Sequence, residues 1–284
     1  PSDPRVPPPA QPDHYADINT GLLYRAAWID RCAGPNDVLL PILPFLDKTA
    51  LDAYAVHSSF PFAFTIGIFK QTTRQHPKAS RVLGFIPNQT VHRAPSAAGR
   101  FSDLNAIFST IMEQLFALER GPGIAWQLNY GGRIHDIVFR PAVLFVIGDN
   151  QGHNEICGMY TSPSAKFRCR FCDCPSEHLK NPNYRFELRE MHYIKKLIER
   201  ASHGESAADA LLKEMSHRPI PNAFHELLFP GNSMGLNVAC PFDIMHVLEH
   251  GLLPHLLECV RYTKRETPRN RSAKVTLDKA SVSK

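Results

Sequence analysis

No stretch of this chain is apolar for long enough to span a bilayer, and no charged-then-apolar leader opens it. Membrane-spanning helices and a secretory route are therefore not expected. The glycine-rich phosphate fingerprints G-x-G-x-x-G and G-x-x-x-x-G-K-[ST] are missing too. A small-molecule α/β enzyme with a structural zinc thus lacks its usual nucleotide-binding support. There is no internal repeat, no helix-turn-helix and no zinc finger with both ligand pairs close together. The first residue is not Met, as expected of a piece of a longer protein whose end-binding domain lies before it. Seven cysteines without a leader argue against a disulfide framework and for a reducing, intracellular setting. In that setting a Cys-x-x-Cys pair means metal or redox chemistry.

What is present suits a globular fold. The 284 residues are enough for one large or two ordinary domains, and 43% of them are hydrophobic. The formal charge of +5 mildly favours polyanionic partners. Its sources are clustered: Lys166, Arg168 and Arg170 lie around cysteines, and Arg261, Lys264, Arg265, Arg269, Arg271 and Lys274 face only Glu266. Six prolines in residues 1–12 make an extended arm.

Hydrophobic periodicity predicts the elements. A short helix forms around Leu22, Leu23 and Trp28. Strands cover Val38 to Leu46, Phe60 to Phe69 and Arg81 to Pro87. Residues 102–119 carry Leu104, Ile107, Phe108, Ile111, Met112, Leu115 and Phe116 at helical spacing, with Ser102 as N-cap and Gly121 as stop. Short strands at Ile124 to Leu128 and Asp136 to Phe139 flank a turn at Tyr130-Gly-Gly132, and a further strand covers Pro141 to Gly148. Helices follow at about 187–200, 206–216 (capped by Ser206), 222–229 and 243–260, the last broken or kinked by Pro254. This order predicts an α/β protein with a ribonuclease-H-like mixed sheet core, followed by a mainly helical, zinc-stabilised C-terminal part. The expected division is a Pro-rich arm at 1–13, the core at 14–155, a zinc-binding helical part at 156–260 and a basic tail without regular structure at 261–284.

Two aspartates close apolar runs. Asp47 follows Leu46, and Asp149 follows Gly148. Carboxylates just past the ends of buried strands lie at the rim of a sheet, where open α/β sheets place ligands. Brought together they repel, and a pair of divalent cations suited to phosphodiester chemistry relieves the repulsion. Taken singly, each Asp is better read as a polar turn residue. Cys169-Arg-Phe-Cys172 has zinc-ligand spacing, with Cys174 nearby. Its completing ligands are expected in Cys240-Pro-Phe-Asp243-Ile-Met-His246-Val-Leu-Glu249-His250, where His246 and His250 are i, i+4 on a helix and Cys240 and Asp243 stand in reserve. A redox pair, or a metal-free structural pair, are the other readings.

These blocks together resemble a family. Asp47-Lys-Thr-x-Leu with Phe60-Pro-Phe-Ala-Phe-Thr-Ile-Gly-Ile resembles the first catalytic block of CACTA-type cut-and-paste DNA transposases, closest to the fungal Plavaka-like branch. Gly148-Asp149, then Cys157-Gly158, then Cys169-x-x-Cys172 resembles the second block, and Phe242-Asp243-Ile-Met-His246 the Asp-x-x-His block. The resemblance spans roughly 40–257. It implies a ribonuclease-H-like fold and an Asp-Asp-Glu triad holding two Mg2+ or Mn2+ ions for strand cleavage and transfer, with Asp47 and Asp149 as the first two acids. For the third acid, Glu249 and Glu258 stand equal, with a glutamate beyond this chain as the other choice. The resemblance further implies Zn2+ at Cys169, Cys172, His246 and His250, and transposon-end and target DNA as partners. It implies a homo-oligomer on DNA and a nuclear location. Lys166, Arg168 and Arg170 are candidate phosphate contacts, or a solvated surface. His153 and Glu155, close after Asp149, are candidates to face the metal site. Phe62, Phe64 and Phe69 read as strand core before base-stacking aromatics. The abruptly basic ending suits a truncated copy, so a catalytically inactive, zinc-stabilised DNA- or protein-binding module is the alternative function.

Overall fold

The computed structural model describes residues 3–9, 17–46, 49–50, 58–87, 97–160, 162, 164–227, 234–243 and 245–266. The chain divides into two compact units, Pro1–Pro241 and Phe242–Lys284.

In the first unit, α1 (Leu22–Arg31) leads into β1 (Asp37–Leu46), then β2 (Thr49–Ala50), β3 (Ser58–Ile66), a four-residue α2 (Gln71–Arg74) and β4 (Ser80–Pro87). The long α3 (Ala97–Arg120) follows, then the hairpin β5 (Ile124–Tyr130) and β6 (Arg133–Val143). The remaining helices are α4 (Asn150–Ile156), α5 (Met191–Ser202), α6 (Ser206–Glu214) and a short α7 (Leu236–Ala239). The fold is mixed α/β, with all six strands in one sheet.

β1 sits in the middle of that sheet. It pairs antiparallel with β3 on one side (Ile42 opposite Ile66) and parallel with β6 on the other (Ile42 opposite Val143). β4 lies on β3 antiparallel, with a bulge at Phe62/Ala63, and β5 lies on the outer side of β6. β1 is buried on both faces, which calls for a continuous apolar run rather than an alternating pattern, and Val38, Leu39, Ile42, Leu43 and Leu46 are all buried. Pro41 and Pro44 break the rule that proline avoids central strands. Both keep an acceptor role: the Pro41 carbonyl takes the Gly67 N–H at 2.8 Å, and the Pro44 carbonyl takes the Ile147 N–H at 2.7 Å. At the start of β1, buried Asp37 pairs with Arg140 of β6 at 3.0 Å and accepts the Gly34 N–H at 2.8 Å.

Several expectations shift in detail. The strand expected over Pro141 to Gly148 is not separate. It continues β6, and beyond Val143 the chain stays against β1 through a parallel bridge of Ile147 to Phe45. Helix α3 begins at Ala97, so Ser102 lies inside it instead of capping it. Ser206 is the first residue of α6, and Glu205 before it makes no side-chain cap. Of the helix expected at 222–229, the described residues form one 3-10 turn, Ala223–Glu226, and residues 228–229 lie outside the description. A single core joins Leu39, Leu43, Phe62 and Leu144 of the sheet region to Met112, Leu115 and Phe116 of α3 and to Ile194, Leu197 and Leu212 of α5 and α6. Phe62 is fully buried, and Phe64 packs against the same core.

The second unit is helical. A π-helical segment, Met245–Leu252, runs into α8 (Leu253–Glu266). Pro254 lies at the junction of the two, inside one helical run, where its missing N–H takes a bond from the ladder and the helix changes from π to α.

Candidate functional site

The parallel edge between β1 and the chain after β6 brings two sequence-distant segments together. The Leu46 N–H donates to the Ile147 carbonyl at 2.8 Å. Gly148 lies so close that a Cβ there would meet the Leu46 carbonyl oxygen at 2.3 Å. Only glycine lets the strands approach this way. Asp149 directly follows. It is the N-cap of α4, and its Oδ1 accepts the Gly152 N–H at 2.5 Å. An Asp at this place satisfies one of the helix's orphan N–H groups and sits well against the positive end of its dipole. Asp47, which directly follows Leu46, lies outside the described residues.

His153 and Glu155 come from the same short helix. His153 is buried and donates Nε2–H to the Val146 carbonyl at 2.9 Å. Burial, and then the nearby Arg170 cation, hold its pKa below the usual histidine value, so the ring is a neutral brace between α4 and the strand end. Glu155 lines a cavity of about 30 Å³ together with Leu46, Phe60, Phe108, Gly152 and Phe224. That space is about the size needed for a water molecule or two.

The cysteine segment folds as a knuckle. Cys169 Sγ accepts the Phe171 N–H at 3.4 Å, and Cys172 Sγ accepts the Cys174 N–H. The amide donor aimed at the Cys172 sulfur favours its thiolate, the form that binds metal. Against this, burial pushes the Cys172 thiol up to about 11. Two buried arginines hold the knuckle in place. Arg189 Nε donates to the carbonyls of Cys169 and Cys172 at 2.9 and 3.2 Å, and its Nη1 to Met215 at 3.0 Å. Arg170 reaches the other way. Its Nε donates to the Cys240 carbonyl and its Nη2 to the Pro241 carbonyl, both at 3.0 Å, and its Nη1 to the side-chain oxygens of Asn150 and Asn154 on α4. Burial lowers the pKa of both guanidiniums, while neighbouring cysteine sulfurs oppose the shift.

Arg170 therefore corrects the sequence reading. It is only 2% exposed, so it braces α4 from inside and cannot touch a polyanion. Lys166 and Arg168 are exposed, with Lys166 paired to Glu214 at 3.1 Å. Neither arginine's structural role has a signal in the local sequence, because the cluster reads equally as a basic surface.

Cys240, held in reserve as a zinc ligand, is fully buried and hydrogen-bonded to the Cys157 thiol, and burial raises its pKa well above the ordinary value. His246, Glu249, His250 and Glu258 all belong to the second unit. Glu249 and Glu258 are exposed; the side chains of His246 and His250 lie outside the description. The i, i+4 argument for the histidines assumed an α-helix, whereas their segment is π-helical, with i→i+5 bonding. Among the described residues no three His, Cys, Asp or Glu side chains converge as a metal site. The Gly-x-Ser-x-Gly form, read from the sequence as absent, is present as Gly231-Asn232-Ser233-Met234-Gly235, but a nucleophile elbow needs a strand leading into it. The preceding described element is the 3-10 turn Ala223–Glu226, and Ser233 lies outside the described residues. No protein-family model and no curated protein matches this chain.

Proposed function

We propose that this chain is the catalytic region of a cut-and-paste DNA transposase, hydrolysing and transferring phosphodiester strands at transposon ends. The observation that carries the reading is the parallel bridge of Phe45 to Ile147, which sets Leu46, the residue before Asp47, beside Gly148, the residue before Asp149. The topology supports a ribonuclease-H-like core. Three strands form an antiparallel meander, a long helix crosses over, and the next strand in the sheet's centre runs parallel to the first. The hairpin strand β5, antiparallel at the outer edge, departs from the simplest form of that core.

In this reading Asp47 and Asp149 would hold Mg2+ or Mn2+, and a pair of such ions would supply activation of an attacking water or 3′-hydroxyl and stabilisation of the leaving oxygen. Asp149 gives one oxygen to the α4 cap, which fixes its carboxyl and leaves the second oxygen for a cation. The knuckle fits the sulfur half of a zinc site, which Cys169 and Cys172 would supply. Lys166 and Arg168 contact phosphate, and assembly on DNA in the nucleus completes the proposal.

The test is Mn2+-dependent nicking of supercoiled plasmid and of end-containing duplex by the wild type and by Asp149→Asn. Cleavage by the wild type alone supports the reading. The second reading, a zinc-stabilised binding module that does not cut, is favoured by the capping role of Asp149. Equal DNA binding by the wild type and Asp47→Ala, with no cleavage by either, would establish it.

A further inference from the structure

The outer strand of the sheet has a free edge. β5, Ile124-Ala-Trp-Gln-Leu-Asn-Tyr130, pairs with β6 on one side, and among the described residues nothing pairs with its other side. The two-residue turn Gly131–Gly132, with φ of +59° and +75°, is the type that closes a tight hairpin. Such a turn makes Tyr130 and Arg133 a hydrogen-bonded pair, and every second pair along the ladder follows: Leu128 with His135, Trp126 with Ile137, Ile124 with Phe139. The backbone N–H and C=O of Ala125, Gln127 and Asn129 therefore point away from β6, toward open space.

Open edges attract other strands, and proteins guard them with charge, proline or a bulge. The opposite end of this sheet is guarded. β4 carries Arg81, shifts register against Phe62/Ala63 and ends at Pro87. β5 has no charged residue, no proline, no glycine and no register shift. Trp126 is 60% exposed and Ile124, on the same face of the strand, 41%.

The sequence of β5 is self-complementary about its centre. We propose that two copies of this chain pair antiparallel through β5, about a two-fold axis at Gln127, so that one sheet runs through both. This inference is independent of the transposase reading and needs no nucleic acid. In that register Ala125 faces Asn129 of the second copy and Gln127 faces its own equivalent, each pair exchanging two N–H···O bonds through the outward groups. On the neighbouring face Trp126 stands opposite Leu128 of the second copy, and Ile124 opposite Tyr130. These are aromatic–aliphatic pairs of the kind that stabilise sheets, and no like charges meet on the paired strands. An isologous interface of this sort closes after two copies and does not grow into a filament.

Light scattering and sedimentation of the full chain, without DNA, from about 1 to 100 µM should show a concentration-dependent doubling of mass. Gln127→Pro removes an outward N–H and leaves the β5–β6 ladder intact; it should remain monomeric over the whole range. In a Cys259→Ser background, Gln127→Cys should cross-link to itself on mild oxidation, because a hydrogen-bonded pair sits about 5.5 Å apart, within disulfide reach. Ile124→Cys in the same background should not, since its equivalent lies about 20 Å away in this register. A wild type that stays monomeric at the highest concentration overturns the proposal. So does a dimer that persists in folded Gln127→Pro, or one in which position 124 cross-links and position 127 does not. Should the proline variant fail to fold, the two cysteine variants decide.

Discussion

Gly148 and Asp149 set two different demands on neighbouring positions. At Gly148 the demand is steric. A methyl group would overlap the Leu46 carbonyl oxygen, which is backbone and cannot swing aside. Gly148→Ala should therefore destabilise the protein on the order of 3 kcal/mol, read by urea unfolding. At Asp149 capping and charge can be separated. Asp149→Ala loses the bond to the Gly152 N–H and should cost about 1 kcal/mol, whereas Asp149→Asn keeps an acceptor and should melt close to the wild type. Both remove the charge, so if the proposed chemistry holds, both abolish nicking while only one lowers the melting temperature. The sequence marked Asp149 as a rim residue from the apolar run before it. Its capping role depends on α4 starting at Asn150, which the run does not reveal.

At the scale of elements, the knuckle and α4 form a braced pair. Arg170 ties α4 to the chain at Cys240 and Pro241 through Asn150 and Asn154. Arg170→Met fills similar space but strands these buried acceptors, and should cost on the order of 3 kcal/mol. Faster amide exchange in Asn150–Ile156 than elsewhere in the core would place the loss in the helix that carries Asp149. The proposed zinc belongs at this scale too. Metal analysis should give about one Zn per chain, lost in Cys169→Ser. A folded wild type free of metal would rule it out. The strands and the hairpin were legible because their signals are local: apolar runs, and a Gly-Gly pair able to take positive φ. The ends of α3 and α6 were missed because serine is only one of several ways to begin a helix. β6 was read as two strands because Arg140 and Pro141 interrupt its apolar pattern. The interruption is resolved by Asp37, which binds Arg140 from across the sheet.

For the whole molecule, buried histidines tie stability to pH. His217 and His225 lie with ring centres 6.0 Å apart. Burial pushes their pKa values down to about 4 and about 3, with backbone hydrogen bonding partly opposing the shift at His217 and each nearby cation adding to it. The folded state binds fewer protons than the unfolded state, whose histidines titrate at about 6.5. Stability is therefore complete above that pH and falls as the pH drops through the window from about 6.5 to 4. For His217 alone the loss should reach about 3 kcal/mol at the bottom of the window. Urea midpoints measured at pH 7.5 and 5 should show it, and His217→Gln should flatten the dependence. The sequence by itself determined where the strands and long helices lie, the tight hairpin turn and the paired cysteines, since each follows from the periodicity or backbone needs of adjacent residues. Only the tertiary structure decided that β6 runs parallel beside β1 and that, of three basic residues around the cysteines, Arg170 turns inward. Those outcomes depend on contacts between segments 70 or more residues apart, and a local pattern holds no record of which distant backbone will offer its carbonyls.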